Sequence, residues 1–154
     1  MTLVVFDLDG TLLDKGSRIS TYTAETLAKM RARNILYTVA TGRTLQAATG
    51  PLEDHHFTLP LILKNGAIIW SPEEARYSHH HLLTREEVWR VLAAFTLNEL
   101  TPFVFSLQPG QRHALYHGPL KSQSEHKLAN LFEAERELPL APLTSMPDEI
   151  SVIN

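Results

Sequence analysis

Hydrophobic positions fall in two rhythms along this chain, and the rhythm changes near residue 71. Leu3–Phe6 is an unbroken apolar run with the length and β-branching of a buried strand. A polar loop over 13–18 follows. Ser20 or Thr21 is placed to cap a helix reaching about Arg33, with Ala24, Leu27, Met30 and Arg31 at helical spacing and Asn34 as terminator. Residues 35–40 read as a second strand ending in Thr41-Gly42-Arg43, and 44–49 as a short helix. Residues 61–64 read as a third strand stopped by Asn65-Gly66, a tight turn, after which 67–70 resumes extended structure. This β-α-β-α-β order predicts a mostly parallel sheet with right-handed crossovers, an α/β core.

Ser71-Pro72-Glu73-Glu74 breaks the pattern and places a domain boundary between 1–75 and 76–154. Residues 76–83 read as a strand. Thr84-x-x-Glu87 is a capping box opening a helix to about residue 100, with Val88, Val91, Leu92 and Phe95 as its apolar face. Phe103–Leu107 and His113–His117 flank Pro109-Gly110 and predict a β-hairpin. Residues 124–137 read as a helix with Leu128, Leu131 and Phe132 inward. Pro139, Pro142 and Pro147 precede a last apolar strand over 150–153. The second half is therefore expected to be a small α+β module.

Composition narrows the function. The chain has 154 residues, enough for one domain or two small modules, and 44% are apolar. A net charge of -3 gives no electrostatic case for a nucleic-acid partner or an anionic membrane. No apolar stretch has the length of a membrane span. The opening run is too short, and lacks the basic flank, for a signal peptide; the expectation is a cytoplasmic protein. The absence of cysteine excludes disulfides, thiolate catalysis and cysteine-based zinc sites.

The candidate chemistry lies at the strand ends. The first strand runs into Asp7 and Asp9, then Gly10 and Thr11. Two close carboxylates repel unless a cation or shared proton relieves them, and open α/β sheets bind ligands beyond the carboxyl ends of their strands. A solvated turn is the plain alternative for Asp-Leu-Asp-Gly. With the ends at Thr41-Gly42-Arg43 and Asn65-Gly66 converging on one crevice, the residues suit a phosphoryl group. Asp7 is placed to be the nucleophile. Asp9 projects on the same side of an extended backbone and can act as general acid and base. Gly10 permits close backbone approach, Thr41 offers a hydroxyl, Gly42 offers an amide at a helix start, and Arg43 can fork onto an anionic substrate group. Thr11 and Asn65 complete the candidate phosphate- and substrate-binding set.

The full string Asp7-x-Asp9-Gly10-Thr11-Leu12 after an apolar strand resembles the first motif of the haloacid dehalogenase (HAD) superfamily, whose members are mostly magnesium-dependent phosphatases and phosphotransferases. Thr41-Gly42-Arg43 and Asn65-Gly66-Ala67 look like the Cof-type version, a branch acting on small phosphorylated metabolites, often sugar phosphates. The resemblance implies a Rossmann-like HAD core, present here as its N-terminal half, and a partial α+β type-two cap. It also implies that Asp7 is nucleophile and magnesium ligand, and that Asp9 is acid/base and a second metal ligand through its carbonyl. Thr41 would be the phosphate donor of the second motif. The motif content covers 1–70; over 71–154 only position and element order carry the likeness.

Two family motifs are not evident. The chain has no Gly-Asp pair, Asp148-Glu149 precedes a strand instead of ending one, Lys121 and Lys127 lie on or beside a helix, and Lys64 lies on the third strand. The expectation is the N-terminal part of a longer phosphatase or the product of a truncated gene, with poor magnesium affinity and little activity alone. Leu3–Phe6 would be an open sheet edge prone to self-association. Two alternatives stand beside this reading: a phosphomannomutase-like phosphotransferase, and a non-enzymatic remnant binding a phosphate ligand or a protein partner.

Other residues read as structural. His79-His80-His81 alternates faces on a strand, and His113 and His117 would lie about 13 Å apart at ~3.3 Å per residue, too far for one metal. His55-His56 reads as a solvated loop. Trp70 and Trp89 read as packing residues, and Phe103, Phe105 and Tyr116 as core sooner than pocket lining.

Overall fold

The computed structural model describes residues 2–108, 113–136, 138–146 and 151–152. It forms two units, 1–80 and 81–154. The turn expected at Pro109-Gly110, along with Pro147, Asp148-Glu149 and both ends of the last strand, lies outside the described residues. Among the described residues no helix is long and apolar enough to cross a membrane.

In the first unit, β1 (Leu3–Phe6) pairs in parallel with β2 (Leu36–Val39), Leu3 opposite Leu36 and Phe6 opposite Val39. Between them runs α1 (Thr21–Ala32). Ser20 caps it from an extended backbone, its hydroxyl accepting the Thr23 amide. Asn34 takes the left-handed conformation just past its end (φ 54), which Asn tolerates. Thr44 caps α2 (Leu45–Leu52), which ends three residues beyond the expected helix and carries Pro51 in its last turn.

β3 (Leu61–Leu63) joins the parallel set through the Ala40–Ile62 bridge. The sheet then changes direction. β3, β4 (Ile68–Ser71) and β5 (Arg76–His80) form an antiparallel meander, with Leu63 opposite Ile68 and a register shift between Ile69 and Trp70. The parallel start is as expected, and the reversal after β3 agrees with the turn expected at Asn65-Gly66. The connection at Asn65-Gly66 is no two-residue turn. Residues 64–67 lie between the paired Leu63 and Ile68, with Lys64, Asn65 and Gly66 all at positive φ. A run of such angles reverses the chain without splaying the strands.

In the second unit, α3 (Arg85–Leu97) opens with the expected capping box: the Thr84 hydroxyl accepts the Glu87 amide, and the Glu87 carboxylate accepts the Thr84 amide. β6 (Phe103–Leu107) and β7 (His113–His117) pair antiparallel. After α4 (Gln123–Arg136), β8 (Leu140–Pro142) adds in parallel to β7, and β9 (Ser151–Val152) pairs with β6. Strand alternation gives this sheet two cores. Val104 and Tyr116 pack with Val88 and Leu92 of α3. Phe105 and Leu115 pack with Phe132 of α4 and with Leu138. Phe105 and Tyr116 are thus core residues. The helix stripes are narrower than expected: Val91 and Trp89 are half exposed, and Leu128 is exposed while Ala129 is buried in its place.

Candidate active site

The first unit gathers its chemistry where β1, β2 and β3 end. Beyond β1 the pleat alternates: Asp7 and Asp9 are exposed, and Leu8 between them is 0% exposed. The chain then coils on itself. The Leu8 carbonyl accepts the amides of Thr11, Leu12 and Leu13 at 3.3, 3.1 and 2.9 Å. Gly10 sits at φ +75, a conformation costly for a residue with a Cβ. Buried Leu12 and Leu13 hold the coil down. Thr11 donates its hydroxyl to the Asp7 carboxylate at 3.4 Å, the upper limit for such a bond.

The other two strand ends are laced together. The Thr41 amide donates to the Ile62 carbonyl, the Asn65 amide to the Thr41 carbonyl, and the Lys64 amide to the Arg43 carbonyl, at 2.9, 3.0 and 3.1 Å. Thr41 is buried, and its hydroxyl oxygen accepts the Arg43 amide at 3.2 Å. A hydroxyl that accepts in this way keeps its own hydrogen to donate. An open cleft of about 350 Å³ is lined by Asp7, Ala40, Thr41, Gly42, Ile62, Asn65 and Gly66. Of the sequence candidates, Asp7, Thr41, Gly42 and Asn65 meet there; Asp9, Gly10, Thr11 and Arg43 are not among its lining residues.

Arg43 has another engagement than the expected substrate anion. Its guanidinium forks onto the Asp9 carboxylate, Nε to Oδ2 at 2.9 Å and Nη2 to Oδ1 at 2.5 Å. Nη2 also reaches the Ser17 hydroxyl at 3.3 Å, and Nη1 donates to the Ala47 carbonyl at 2.9 Å. The last bond follows from sequence chemistry. Pro51 has no N–H to donate to the carbonyl four residues earlier, so Ala47 is left open within α2 and Arg43 fills the place. Hydrogen bonding to Asp9, reinforced by its charge, raises the Arg43 pKa above its ordinary value against a lesser opposing effect of burial. Ser17, itself at φ 55, belongs to a loop organised by the Asp14 carboxylate, which accepts the Gly16 and Arg18 amides. The sequence reading missed Ser17, Ala47 and Pro51. A proline at the end of an apolar helical stretch is a visible signal of an open carbonyl one turn back.

Lys64 lies in the turn after β3, not on the strand, and is buried. Among the described residues no group of three or more His, Asp or Glu is placed to hold a metal ion.

The family model for haloacid dehalogenase-like hydrolases matches residues 4–151, and the chain belongs to that family. It is 28% identical over 79 residues to 5-amino-6-(5-phospho-D-ribitylamino)uracil phosphatase of Bacillus subtilis, a match covering 51% of this chain and 29% of that protein. It is 43% identical over 77 residues to HMP-PP phosphatase of Klebsiella pneumoniae, covering 46% and 26%. The fold is that of a haloacid dehalogenase-like hydrolase from B. subtilis (TM-score 0.68, 20% identity, 99% of this chain and 59% of that one). A subclass IIB sugar phosphatase superposes with TM-score 0.71 at 21% identity, over 99% of this chain and 56% of the other. The chain thus spans little more than half the length of these solved relatives, and its matches span under a third of the curated ones.

Proposed function

We propose that this chain carries the phosphoryl-accepting end of a magnesium-assisted phosphatase acting on small phosphorylated metabolites, sugar phosphates among them. The observation that carries the reading is the placement of the Asp7 carboxylate in one cleft with Thr41, Gly42 and Asn65 at three strand ends. The phosphatase names of the curated relatives support it. The second unit is read as part of an α+β cap.

The donor set fits magnesium. Asp7 offers a carboxylate and Asp9 a backbone carbonyl, and this ion binds through one or two carboxylates with water and substrate phosphate completing an octahedron. When bound, it supplies positive charge that offsets repulsion between the nucleophile and the phosphoryl oxygens. The remaining work falls to the chain. An Asp7 oxygen attacks phosphorus in line as the bond to the leaving oxygen breaks, and the Asp9 carboxyl gives that oxygen its proton. Thr41 donates its hydroxyl hydrogen to a phosphoryl oxygen. The Asp9 carboxylate then takes a proton from water, whose oxygen attacks phosphorus; the bond to Asp7 breaks and inorganic phosphate leaves. The Arg43 fork orients the Asp9 carboxylate for this second step, and must loosen one oxygen in the first. With two protein oxygens for the ion among the described residues, turnover by this chain alone is expected to be small.

Beryllofluoride, which mimics a phosphoryl group on a carboxylate, tests the nucleophile without turnover. With magnesium present, ¹⁹F NMR of the chain is expected to show a bound signal that disappears in Asp7→Asn. No bound signal in the unsubstituted chain overturns the reading and favours a remnant. Asp7-dependent hydrolysis across a phosphate-ester panel then measures how small turnover is.

A further inference from the structure

A second recess, of about 230 Å³, lies at the opposite end of β2 from the cleft. Tyr37, near the start of the strand, lines it; Thr41 is about 13 Å away at ~3.3 Å per residue. Ile35, Leu36, Tyr37 and Leu59 supply an apolar wall. Arg31, Asn34, His56 and Thr58 supply the rest, and each side chain carries a hydrogen-bond donor. None of these four side chains hydrogen-bonds or ion-pairs with another described residue. Among the described residues no acid lines the recess. Asp54 lines the neighbouring one, which shares Arg31, Tyr37 and His56.

The frame carrying these groups is fixed. Tyr37 is 6% exposed; its hydroxyl donates to the His55 carbonyl at 3.0 Å, and its ring meets Phe57 edge-on at 5.1 Å. The Thr38 hydroxyl donates to the Pro60 carbonyl at 2.7 Å. Residues 55–60 are thus pinned to β2 at both ends, with His56 and Thr58 between the pins. Asn34 and His56 hold φ 54 and 56, left-handed values that both residue types tolerate. The negative end of α1 also lies here, but the amides of Arg33, Asn34 and Ile35 already occupy its Met30 and Arg31 carbonyls.

We infer that this recess is a binding site for a small organic acid the size of a single ring, a ligand other than the phosphoryl group of the cleft. Its carboxylate meets the Arg31 guanidinium, which can fork onto both oxygens, with Asn34, His56 and Thr58 as further donors. Its apolar body leaves water for the wall of Ile35, Leu36, Tyr37 and Leu59. Four donors without a partner and no acid select an anion; the apolar wall selects against inorganic phosphate. The volume sets the size, since it falls below the ~300–1,000 Å³ of pockets that take drug-sized ligands. The inference stands on this geometry and not on the phosphatase reading.

The test uses the 1–154 chain and 4-fluorobenzoate, with affinity read by ¹⁹F NMR of the probe and location by amide shifts of the ¹⁵N-labelled chain. Weak, millimolar binding is expected of so small a probe. The amides of residues 34–37 and 56–59 should shift, and those of 41–43 and 65–66 should not. Neutral 4-fluorobenzamide has the same body without the charge and is expected to bind about tenfold more weakly or worse. Arg31→Gln is expected to weaken 4-fluorobenzoate by a similar factor and to leave 4-fluorobenzamide unchanged. Thr58→Phe fills the recess from an exposed position and should abolish binding of both probes at an unchanged urea midpoint. If that variant does not fold, Arg31→Gln, also at an exposed position, carries the test. No binding of 4-fluorobenzoate to the unsubstituted chain overturns the site. So does equal affinity for the two probes, affinity unchanged in Arg31→Gln, or shifts confined to the cleft.

Discussion

A single leucine decides where two acids point. Leu8 is fully buried, so the pleat turns its neighbours Asp7 and Asp9 outward together, and its carbonyl anchors the coil that carries Gly10 and Thr11. Leu8→Ala leaves a cavity under that coil and is expected to cost about 2–5 kcal/mol in urea denaturation. A loss well under 1 kcal/mol would show that Leu8 does not anchor the turn. The same alternation made the acidic pair legible from sequence, since an apolar residue between two acids on a strand end has one sensible orientation. Arg43 was legible only as a cation near an anion. Its partner is set by a fold that brings residue 43 to residue 9, across 34 positions of chain, which no local pattern encodes.

At the scale of elements, helix starts were the best-read features, because a cap is a contact between residues three apart. Thr84 with Glu87 was read correctly. The matching box at α4 was not: the Ser122 hydroxyl accepts the Glu125 amide, and the Glu125 carboxylate accepts the Ser122 amide at 2.7 Å. Ser122-x-x-Glu125 was present in the sequence as a signal. Hydrogen bonding from the Thr101 side chain and the Lys121 and Ser122 amides holds the Glu125 carboxyl down to about 2. Its folded value lies below the ordinary 4.5, so its contribution to stability is present above that value and is lost as pH falls toward about 2. Urea midpoints measured across this acid range should fall less steeply for Glu125→Gln than for the unsubstituted chain. Equal slopes would show that the carboxylate contributes nothing. The reversal after β3 was legible from Asn65-Gly66, but not that Lys64 would join them at positive φ and lengthen the turn.

For the whole molecule, the sheet of the first unit leaves β1 at its margin. Among the described residues β1 pairs on one side alone, and Leu3 and Val5 are 54% and 47% exposed. An uncharged, unbulged edge of this kind recruits other strands. Sedimentation velocity is expected to show concentration-dependent association that Val5→Lys suppresses. A monomer at every concentration would count against the edge. The change of rhythm near residue 71 falls inside the first unit, which runs on to residue 80 because β5 pairs with β4. The exposed sides of α3 and α4 were not legible, since a helical stripe read from sequence does not say how much of it the sheet covers.

Pro51 never touches the cleft, yet it keeps the Ala47 carbonyl available to the side chain that steadies Asp9. Proline is the least favourable residue of a helix interior and alanine the most favourable, so Pro51→Ala looks like a stabilising exchange. Here that exchange would return an amide to the helix, set it in competition with Arg43 for the Ala47 carbonyl, and gain melting temperature at the expense of the fork on Asp9.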